Sequence, residues 1–231
     1  MLYLKDPYKK EFEAIVKESL DNNIVLNETY FYPSGGGQPS DKGTIIFNAE
    51  EFKVINVKKE NGKVTHELDK EGLKINDKVK CIINWNRRYK LMRMHTAAHI
   101  ISAIIYKETK AMITGNQLDE EISRIDFSLE DFNRKLFEKY IEEANEEIKK
   151  DHKVTIRIIS KEEAEKIENL SRLAKGLPQD LKEIRIVKIG SIDEQADGGT
   201  HVSSTKEIGK IKLLSIENKG KSNRRMYFSL E

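Results

Sequence analysis

The pattern of apolar residues changes its period near Arg87, and this change limits the possible folds more than any other feature of the chain. Before it, short β-branched and aromatic runs alternate with turn residues. They predict six strands: Ile24–Leu26, Thr29–Tyr32, Gly43–Phe47, Phe52–Lys58, Lys63–Glu67 and Val79–Asn84. Asn61-Gly62 separates two of them and is typical of a hairpin turn. Because so many short strands fall within 85 residues, we expect a small β-barrel with no long open edge.

From Arg87 onward, apolar residues recur every three or four positions, as in helices. They predict helices over Arg87–Tyr106 and Phe132–Lys150, and a capping box at Ser160 opens a third helix that reaches about Leu173. Strand-like runs complete this half: Val154–Ile159, Ile184–Ile189, Lys210–Glu217 and Met226–Leu230. The sequence therefore predicts an α+β protein with a boundary at Trp85, which gives domains of residues 1–85 and 86–231.

Composition narrows the class of protein. The 231 residues contain 41 basic and 39 acidic side chains, a net charge of +2, which argues against a basic-tail nucleic-acid binder but leaves room for a local basic face. The longest uncharged run, Met94–Tyr106, is too short to span a bilayer, and the N-terminal segment lacks a signal-peptide core. The single cysteine, Cys81, excludes an intramolecular disulfide. We expect a cytoplasmic protein with no membrane partner.

Two histidine-containing pairs have the spacing of metal ligands. His95 and His99 stand four apart on a predicted helix, which projects both imidazoles to one side. Asp197 and His201 are also four apart, bent around two glycines. Alone, the first pair could be two polar residues of a helix, and the second could be a turn followed by an exposed histidine. Together the two pairs favour a metal site. Three nitrogens and one oxygen suit Zn²⁺ best, with Fe²⁺ or Ni²⁺ as alternatives. A zinc protease is excluded because Thr96 occupies the place of its general base.

The other two histidines lie outside this pattern. His66 follows a strand-like run, and His152 lies in a charged segment after a predicted helix. We interpret both as surface histidines.

These motifs resemble those of the AlaX-type alanyl-tRNA editing proteins, the free-standing relatives of the alanyl-tRNA synthetase editing domain. The zinc signature of that family reads here as His95-Thr-Ala-Ala-His99 and Asp197-Gly-Gly-Thr-His201. Phe31-Tyr-Pro-Ser-Gly-Gly-Gly-Gln-Pro-Ser-Asp41 is similar to the glycine-rich motif of the preceding barrel. The resemblance covers nearly the whole chain, and the presence of the barrel matches the medium-length subgroup.

The resemblance implies a trans-editing hydrolase that acts on the acceptor end of mischarged alanine tRNA. The usual substrate is Ser-tRNA(Ala), with Gly-tRNA(Ala) less certain, and Ala-tRNA(Ala) is spared. One Zn²⁺ per chain would be held by His95, His99, Asp197 and His201. The fold implied is a threonyl/alanyl-tRNA synthetase-type editing domain behind an N-terminal β-barrel.

One position departs from the family, because Asp197 stands where a cysteine is usual. Asp197 either binds the metal through oxygen, which we favour, or leaves three protein ligands and acts on a water or the substrate amine. The alternative function is a catalytically impaired zinc-bearing module that still binds tRNA.

Selecting serine over alanine requires polar groups that pair with the extra hydroxyl. Thr96 and Thr200 adjoin the proposed ligands and Gln117 lies in a polar segment, so these three are the candidate catalytic residues. The alternative to a catalytic role is that each is an ordinary surface or turn residue.

Candidate substrate-binding residues fall in three segments. A glycine-rich loop is expected to face the editing pocket, and two basic clusters are expected to bind acceptor-stem phosphates. Without the family resemblance, we would interpret the loop as a turn of the barrel and the basic clusters as solvent-exposed protein surface. The residues are Gly35, Gly36, Gly37 and Gln38 of the loop, Arg87, Arg88 and Arg93 of the first cluster, and Arg224 and Arg225 of the second.

Overall fold

A computed structural model of the protein describes residues 1–130, 133–167, 170–172 and 183–231. They form two compact units, Met1–Leu91 and Met92–Glu231. The division falls inside the longest helix, α2 (Trp85–Thr109), so the predicted domain limits of 1–85 and 86–231 stay a prediction. Within the described ranges, every helix is too short or too polar to cross a membrane.

The first unit is a closed barrel of six antiparallel strands in the order β1-β2-β5-β4-β3-β6. Closure pairs β6 with β1, so no strand is left with an unpaired edge. A short helix, α1 (Leu2–Lys5), precedes the barrel. The strands are β1 (Glu11–Leu20), β2 (Asn23–Leu26), β3 (Gly43–Phe47), β4 (Glu50–Glu60), β5 (Lys63–Leu68) and β6 (Lys78–Ile83). The small barrel predicted from the strand pattern is confirmed.

Two local predictions in the barrel have opposite outcomes. The hairpin at Asn61-Gly62 is confirmed, because both residues have positive φ and join β4 to β5. The predicted strand Thr29–Tyr32 is wrong: this segment joins no sheet. Instead, the amide of Tyr32 donates to the carboxylate of Asp41 at 2.6 Å, and the amide of Asp41 donates to the Tyr32 carbonyl at 3.0 Å.

Asp41 also anchors the start of α2 through a buried ion pair with Arg88. Both side chains are almost completely buried, at 1% and 0% exposed. Arg88 Nε donates to Asp41 Oδ1 at 2.9 Å, and the two Nη groups donate to the carbonyls of Pro7 and Tyr30 at 2.8 and 2.6 Å. The Arg88 guanidinium therefore donates to groups of the first unit, and the prediction that it binds a tRNA phosphate is wrong.

We expect Arg88→Met to destabilise the first unit by about 3–5 kcal/mol, because it leaves the Asp41 carboxylate buried without its cation. The measurement is urea unfolding followed by the fluorescence of Trp85, the single tryptophan of the chain. Lys63→Met is the control, since Lys63 pairs with Glu18 on the surface and should change stability by less than about 1 kcal/mol. Similar losses for both variants would contradict this account of the ion pair.

His66 is completely buried in the barrel wall, so its interpretation as a surface histidine is wrong. Nδ1 lies 3.4 Å from the carbonyl of Ile24, which can only accept, and Nε2 lies 2.9 Å from the hydroxyl of Thr29. These contacts suit a neutral imidazole with its proton on Nδ1. Burial lowers the pKa of His66 to about 4, against a smaller opposite effect of the hydrogen bond to Ile24.

A histidine with a lowered pKa makes folding depend on pH. The unfolded chain binds a proton at His66 below about pH 6.5, whereas the folded barrel does so only near pH 4. Stability is therefore lost as pH falls between these values, by about 3 kcal/mol in total. We expect His66→Gln to remove this part of the slope when urea unfolding is compared at pH 4.5 and pH 7. An unchanged slope would contradict the prediction.

The described residues of the second unit form two antiparallel sheets, with strand orders β12-β13-β8-β7 and β11-β10-β9. The strands are β7 (Ile113–Gln117), β8 (Ser123–Phe127), β9 (Val154–Ser160), β10 (Glu183–Ile189), β11 (Asp193–Ala196), β12 (Ile211–Asn218) and β13 (Arg224–Leu230). Helix α3 (Arg134–Lys149) packs against β12, and the side chain of Asn145 exchanges two hydrogen bonds with the main chain of Ile211. The predicted α+β class is confirmed.

The predicted helices differ at their ends. Helix α3 begins after Asn133, whose side chain accepts from the amide of Lys135; the predicted start, Phe132, lies outside the described residues. The capping box at Ser160 is confirmed, but α4 (Lys161–Ala164) has only one turn. The predicted end of this helix, Leu173, also lies outside the described residues.

Candidate metal centre

Three histidines and one aspartate of the second unit converge on one point. His95 and His99 lie one turn apart on α2, and Asp197 and His201 lie in the loop that follows β11. One ligand atom from each of the four side chains lies within 4.8 Å of the others. The predicted ligand set is therefore brought together in space and can hold a metal ion.

The carboxylate of Asp197 lies against all three imidazoles. Its Oδ1 is 2.9 Å from Nε2 of His201, and its Oδ2 is 3.3 Å from Nε2 of His95 and 3.7 Å from Nε2 of His99. Burial raises the pKa of Asp197, but the three imidazoles outweigh this and hold the pKa well below its usual range. The group therefore offers three nitrogens and an ionised oxygen, which is a donor set that Zn²⁺ accepts.

The tautomer of His201 follows from its contact with Thr96. The hydroxyl of Thr96 donates its single proton to the carbonyl of Met92 at 2.9 Å. It must therefore accept from Nδ1 of His201, which lies 3.1 Å away. Because Nδ1 bonds Thr96, Nε2 is the nitrogen that faces Asp197, and it would bind a metal once it is deprotonated.

Asp193 fixes the orientation of the His99 ring through Nδ1, as Thr96 does for His201. Asp193 was not among the site residues predicted from the sequence. Its Oδ2 lies 2.8 Å from Nδ1 of His99 and can only accept, so Nδ1 carries a proton and Nε2 is the nitrogen that faces the centre. Its Oδ1 pairs with Nη1 of Arg172 at 2.6 Å, and the Asp193 side chain is fully buried. The sequence signal was weak: a second aspartate four residues before Asp197.

The two carboxylates favour positive charge at this centre. Burial lowers the pKa of His99, but hydrogen bonds and charge from Asp193 and Asp197 raise it to about 9. Burial and the charge of His95 lower the pKa of His201 instead. The same field that favours a proton on His99 also attracts a metal cation.

The loop that carries Asp197 is held by Arg185, whose side chain is 11% exposed. Arg185 Nη1 donates to the Asp197 carbonyl at 2.8 Å and lies 3.8 Å from Oδ1. The amide of Gly199 donates to the same Oδ1 at 2.6 Å. These contacts fix the carboxylate in the orientation that faces the imidazoles.

Comparison with known proteins places this geometry in a family. Residues 184–227 match the family model "Threonyl and Alanyl tRNA synthetase second additional domain", and residues 3–87 match "tRNA synthetases class II (A)". An alanyl-tRNA editing protein AlaX-M from Methanosarcina barkeri is 50% identical over 237 residues, which cover 99% of this chain and 98% of the relative. This chain belongs to the AlaX-M family. The resemblance drawn from the motifs is confirmed.

Two further relatives show the extent of the similarity. The AlaX-M protein of Saccharolobus solfataricus is 45% identical over 233 residues, covering 100% of this chain and 98% of the relative. An alanine–tRNA ligase of Pyrococcus abyssi is 37% identical over 223 residues, covering 94% of this chain but only 24% of the ligase.

The structure gives the candidate catalytic residues of this AlaX-M chain different surroundings. Thr96 is fully buried, and its hydroxyl bonds Met92, His201 and the amide of Val202 at 3.3 Å, so it positions the His201 ring. Thr200 is fully buried immediately before His201. Gln117 is exposed on β7 and accepts from Arg124 at 3.3 Å, so its amide is engaged on the four-stranded sheet.

The glycine-rich loop of this AlaX-M chain is a tight hairpin in the first unit. Gly35 and Gln38 exchange two main-chain hydrogen bonds at 2.9 and 3.0 Å, and Gln38 is buried. Gly36 and Gly37 form the turn with φ of 59° and 87°, a conformation that favours glycine at both positions. The loop is therefore a turn of the barrel unit, as expected without the family resemblance. Its role in selecting the amino acid stays a prediction.

The predicted phosphate-binding arginines are mostly engaged by protein atoms. Arg87 donates twice to the Ser40 carbonyl, and Arg93 donates to the carbonyls of Ile208 and Glu231. Arg224 is buried and binds several main-chain carbonyls, including those of Gly220 and Glu130, so its assignment to tRNA is corrected. Arg225 forms a bidentate ion pair with Asp126, with hydrogen bonds of 2.8 and 2.9 Å.

We expect Asp193→Asn to weaken Zn²⁺ binding by about 10- to 100-fold, because loss of the carboxylate partner loosens the tautomer and orientation of His99. Zinc affinity is measured by competition with a chromophoric chelator. Glu194→Gln is the control, since this neighbour pairs instead with Arg157 and Lys188. Equal affinity of Asp193→Asn and Glu194→Gln would contradict the role given to Asp193.

Proposed function

We propose that this AlaX-M family member is a zinc-dependent hydrolase that removes serine from mischarged Ser-tRNA(Ala) and leaves Ala-tRNA(Ala) intact. The relatives that share 45–50% of its residues over nearly full length are named alanyl-tRNA editing proteins. Editing of this kind hydrolyses the ester between the amino acid and the acceptor end of the tRNA. The observation that carries the proposal is the convergence of His95, His99, His201 and Asp197.

The donor set supports zinc as the metal. Zn²⁺ takes imidazole nitrogen and carboxylate oxygen in tetrahedral sites, and three nitrogens with one oxygen satisfy it. When bound, zinc polarises a carbonyl and lowers the pKa of a bound water to about 7. We assign Asp197 to the ligand set because both of its oxygens face imidazole nitrogens.

The protein's own residues hold this centre rigid. Thr96 and Asp193 keep the protons of His201 and His99 on Nδ1, away from the ligand point. Arg185 holds the main chain of Asp197. Such preorganisation lowers the cost of orienting a substrate ester, because the polar groups do not have to rearrange.

Serine recognition requires a partner for the extra hydroxyl. A site that hydrogen-bonds a hydroxyl can reject the analogue that lacks it by about 10⁴–10⁵-fold. We propose Thr200 as one such partner, because it is buried and immediately precedes His201. Thr96 is less suited, since its one proton already goes to Met92. Glycine has no hydroxyl, so we expect Gly-tRNA(Ala) to be a poorer substrate.

The test is deacylation of alanine tRNA charged with serine, glycine or alanine. We expect about one zinc per chain and release of serine by the wild type, with the alanyl ester spared. His99→Ala should lose zinc and slow the seryl reaction by at least about 100-fold, since one of four ligands and the tautomer contact are removed together. Zinc content and initial rates are measured on the same preparations.

His152→Ala is the matched control. His152 bonds Glu147 at 2.9 Å and is not one of the four clustered side chains, so its loss should leave zinc content and rate near those of the wild type. If the wild type binds alanine tRNA but hydrolyses no ester, the proposal fails and the protein is a zinc-bearing tRNA-binding module. If it holds another metal and still hydrolyses the seryl ester, only the assignment of zinc is wrong.

A further inference from the structure

A series of three aromatic rings lies on the first unit, outside the apolar interior of the barrel. Tyr8 and Trp85 have ring centroids 5.7 Å apart, and Trp85 stacks on Tyr89 at 5.4 Å with an angle of 24° between the planes. All three side chains are partly exposed. We call Tyr8, Trp85 and Tyr89 the Trp85 cluster.

Two lysines flank the Trp85 cluster. The ammonium of Lys10 lies 4.8 Å from the centroid of the Trp85 ring, a cation–π contact. The carbonyl of Lys10 accepts from the amide of Ile83, and that of Lys42 accepts from the amide of Asn84, so both lysines flank the start of α2.

A groove of about 410 Å³ on the barrel adjoins this point. It is lined by the side chains of Lys42, Thr44, Lys53 and Asn84, with Ile55 and Ile82 as apolar lining. Within the part of the chain that the structure describes, the ammonium groups of Lys42 and Lys53 form no ion pair or hydrogen bond. Two cations at a groove with few other charges suit an anionic ligand.

Three acidic side chains lie near the Trp85 cluster and its groove, and one of them, Glu11, pairs with Lys80 at 2.9 Å. Asp6 accepts from the amide of Tyr8 at 3.2 Å, and Asp41 is buried against Arg88. The buried ion pair of Asp41 and the surface pair of Glu11 leave Lys10, Lys42 and Lys53 as the cations that a phosphate can reach.

We propose that the Trp85 cluster and its lysines bind alanine tRNA. An unpaired base continues the series of stacked rings, and Lys10 and Lys42 contact the flanking phosphates. Stacking of bases on aromatic rings beside a basic groove is how proteins hold single-stranded nucleic acid. A protein partner would bury the rings equally well, but the unpaired lysines favour a polyanion. This inference rests on the proposed function for the identity of the RNA.

The experiment titrates the full-length protein with uncharged alanine tRNA. Because Trp85 is the only tryptophan, its emission reports this surface directly, and we expect it to be quenched as tRNA saturates. Filter binding then gives the affinities of variants. We expect Trp85→Leu and Tyr89→Leu each to weaken binding by about tenfold, whereas Trp85→Phe keeps most of the affinity because a ring remains.

Lysine variants separate charge from stacking. Lys10→Ala should weaken binding and lower the slope of log affinity against log salt by about 0.7–0.9, the value for one phosphate contact. Lys17→Ala is the matched control, because Lys17 is an exposed lysine of β1 with no ion pair among the described residues. Melting curves identify any variant that fails to fold, and Lys10→Ala, an exposed change, still decides the question.

The outcomes distinguish this inference from the proposed function. Unchanged Trp85 emission at saturating tRNA, or wild-type affinity for Tyr89→Leu and Lys10→Ala, would overturn the tRNA surface. If these variants lose affinity while the wild type hydrolyses no ester, the tRNA surface stands and the deacylase proposal fails. If serine is released normally and the variants bind like the wild type, the deacylase proposal stands and this inference is wrong.

Discussion

The carboxylate of Asp197 lies among three imidazoles, and several residues of the second unit keep it there. An ionised group in such a place is costly unless it is paired and hydrogen-bonded. Arg185 and Gly199 bind Asp197 itself, while Asp193 and Thr96 orient two of the imidazoles. The result is a cluster of three imidazole nitrogens and one carboxylate that can hold a metal cation.

Arginines that are buried or half-buried are a second recurring feature of the structure. Arg88 and Arg224 each bind several main-chain carbonyls, and Arg172 and Arg185 each lie beside an aspartate of the metal centre or its support. A guanidinium has five donors in a fixed plane, so it can tie segments together that have no regular pairing of their own. This use of arginine leaves lysines and aromatic rings as the groups available to a nucleic acid on the barrel.

Local patterns predicted the regular elements well where one side of an element is apolar. The strands of the barrel other than β1, the helices α2 and α3, and the hairpin at Asn61-Gly62 all follow from residue spacing. Strand β1 was missed because charged residues alternate with Phe12, Ala14 and Val16, and the charges hide the inward face. Strands β7, β8 and β11 were also missed. In β11, Asp193 and Gln195 point inward, where tertiary pairing compensates their polarity.

The sequence by itself determined the change from barrel to α+β unit and the four candidate ligands. Both depend on short-range spacing: the periods of strands and helices, an i,i+4 histidine pair, and an aspartate and histidine bent around two glycines. Only the tertiary structure decided which groups stand behind those ligands and which arginines are buried. Asp193 meets His99 across 94 residues of chain, and Thr96 meets His201 across 105. Such contacts are set by how sheets and helices pack, and no local spacing encodes them.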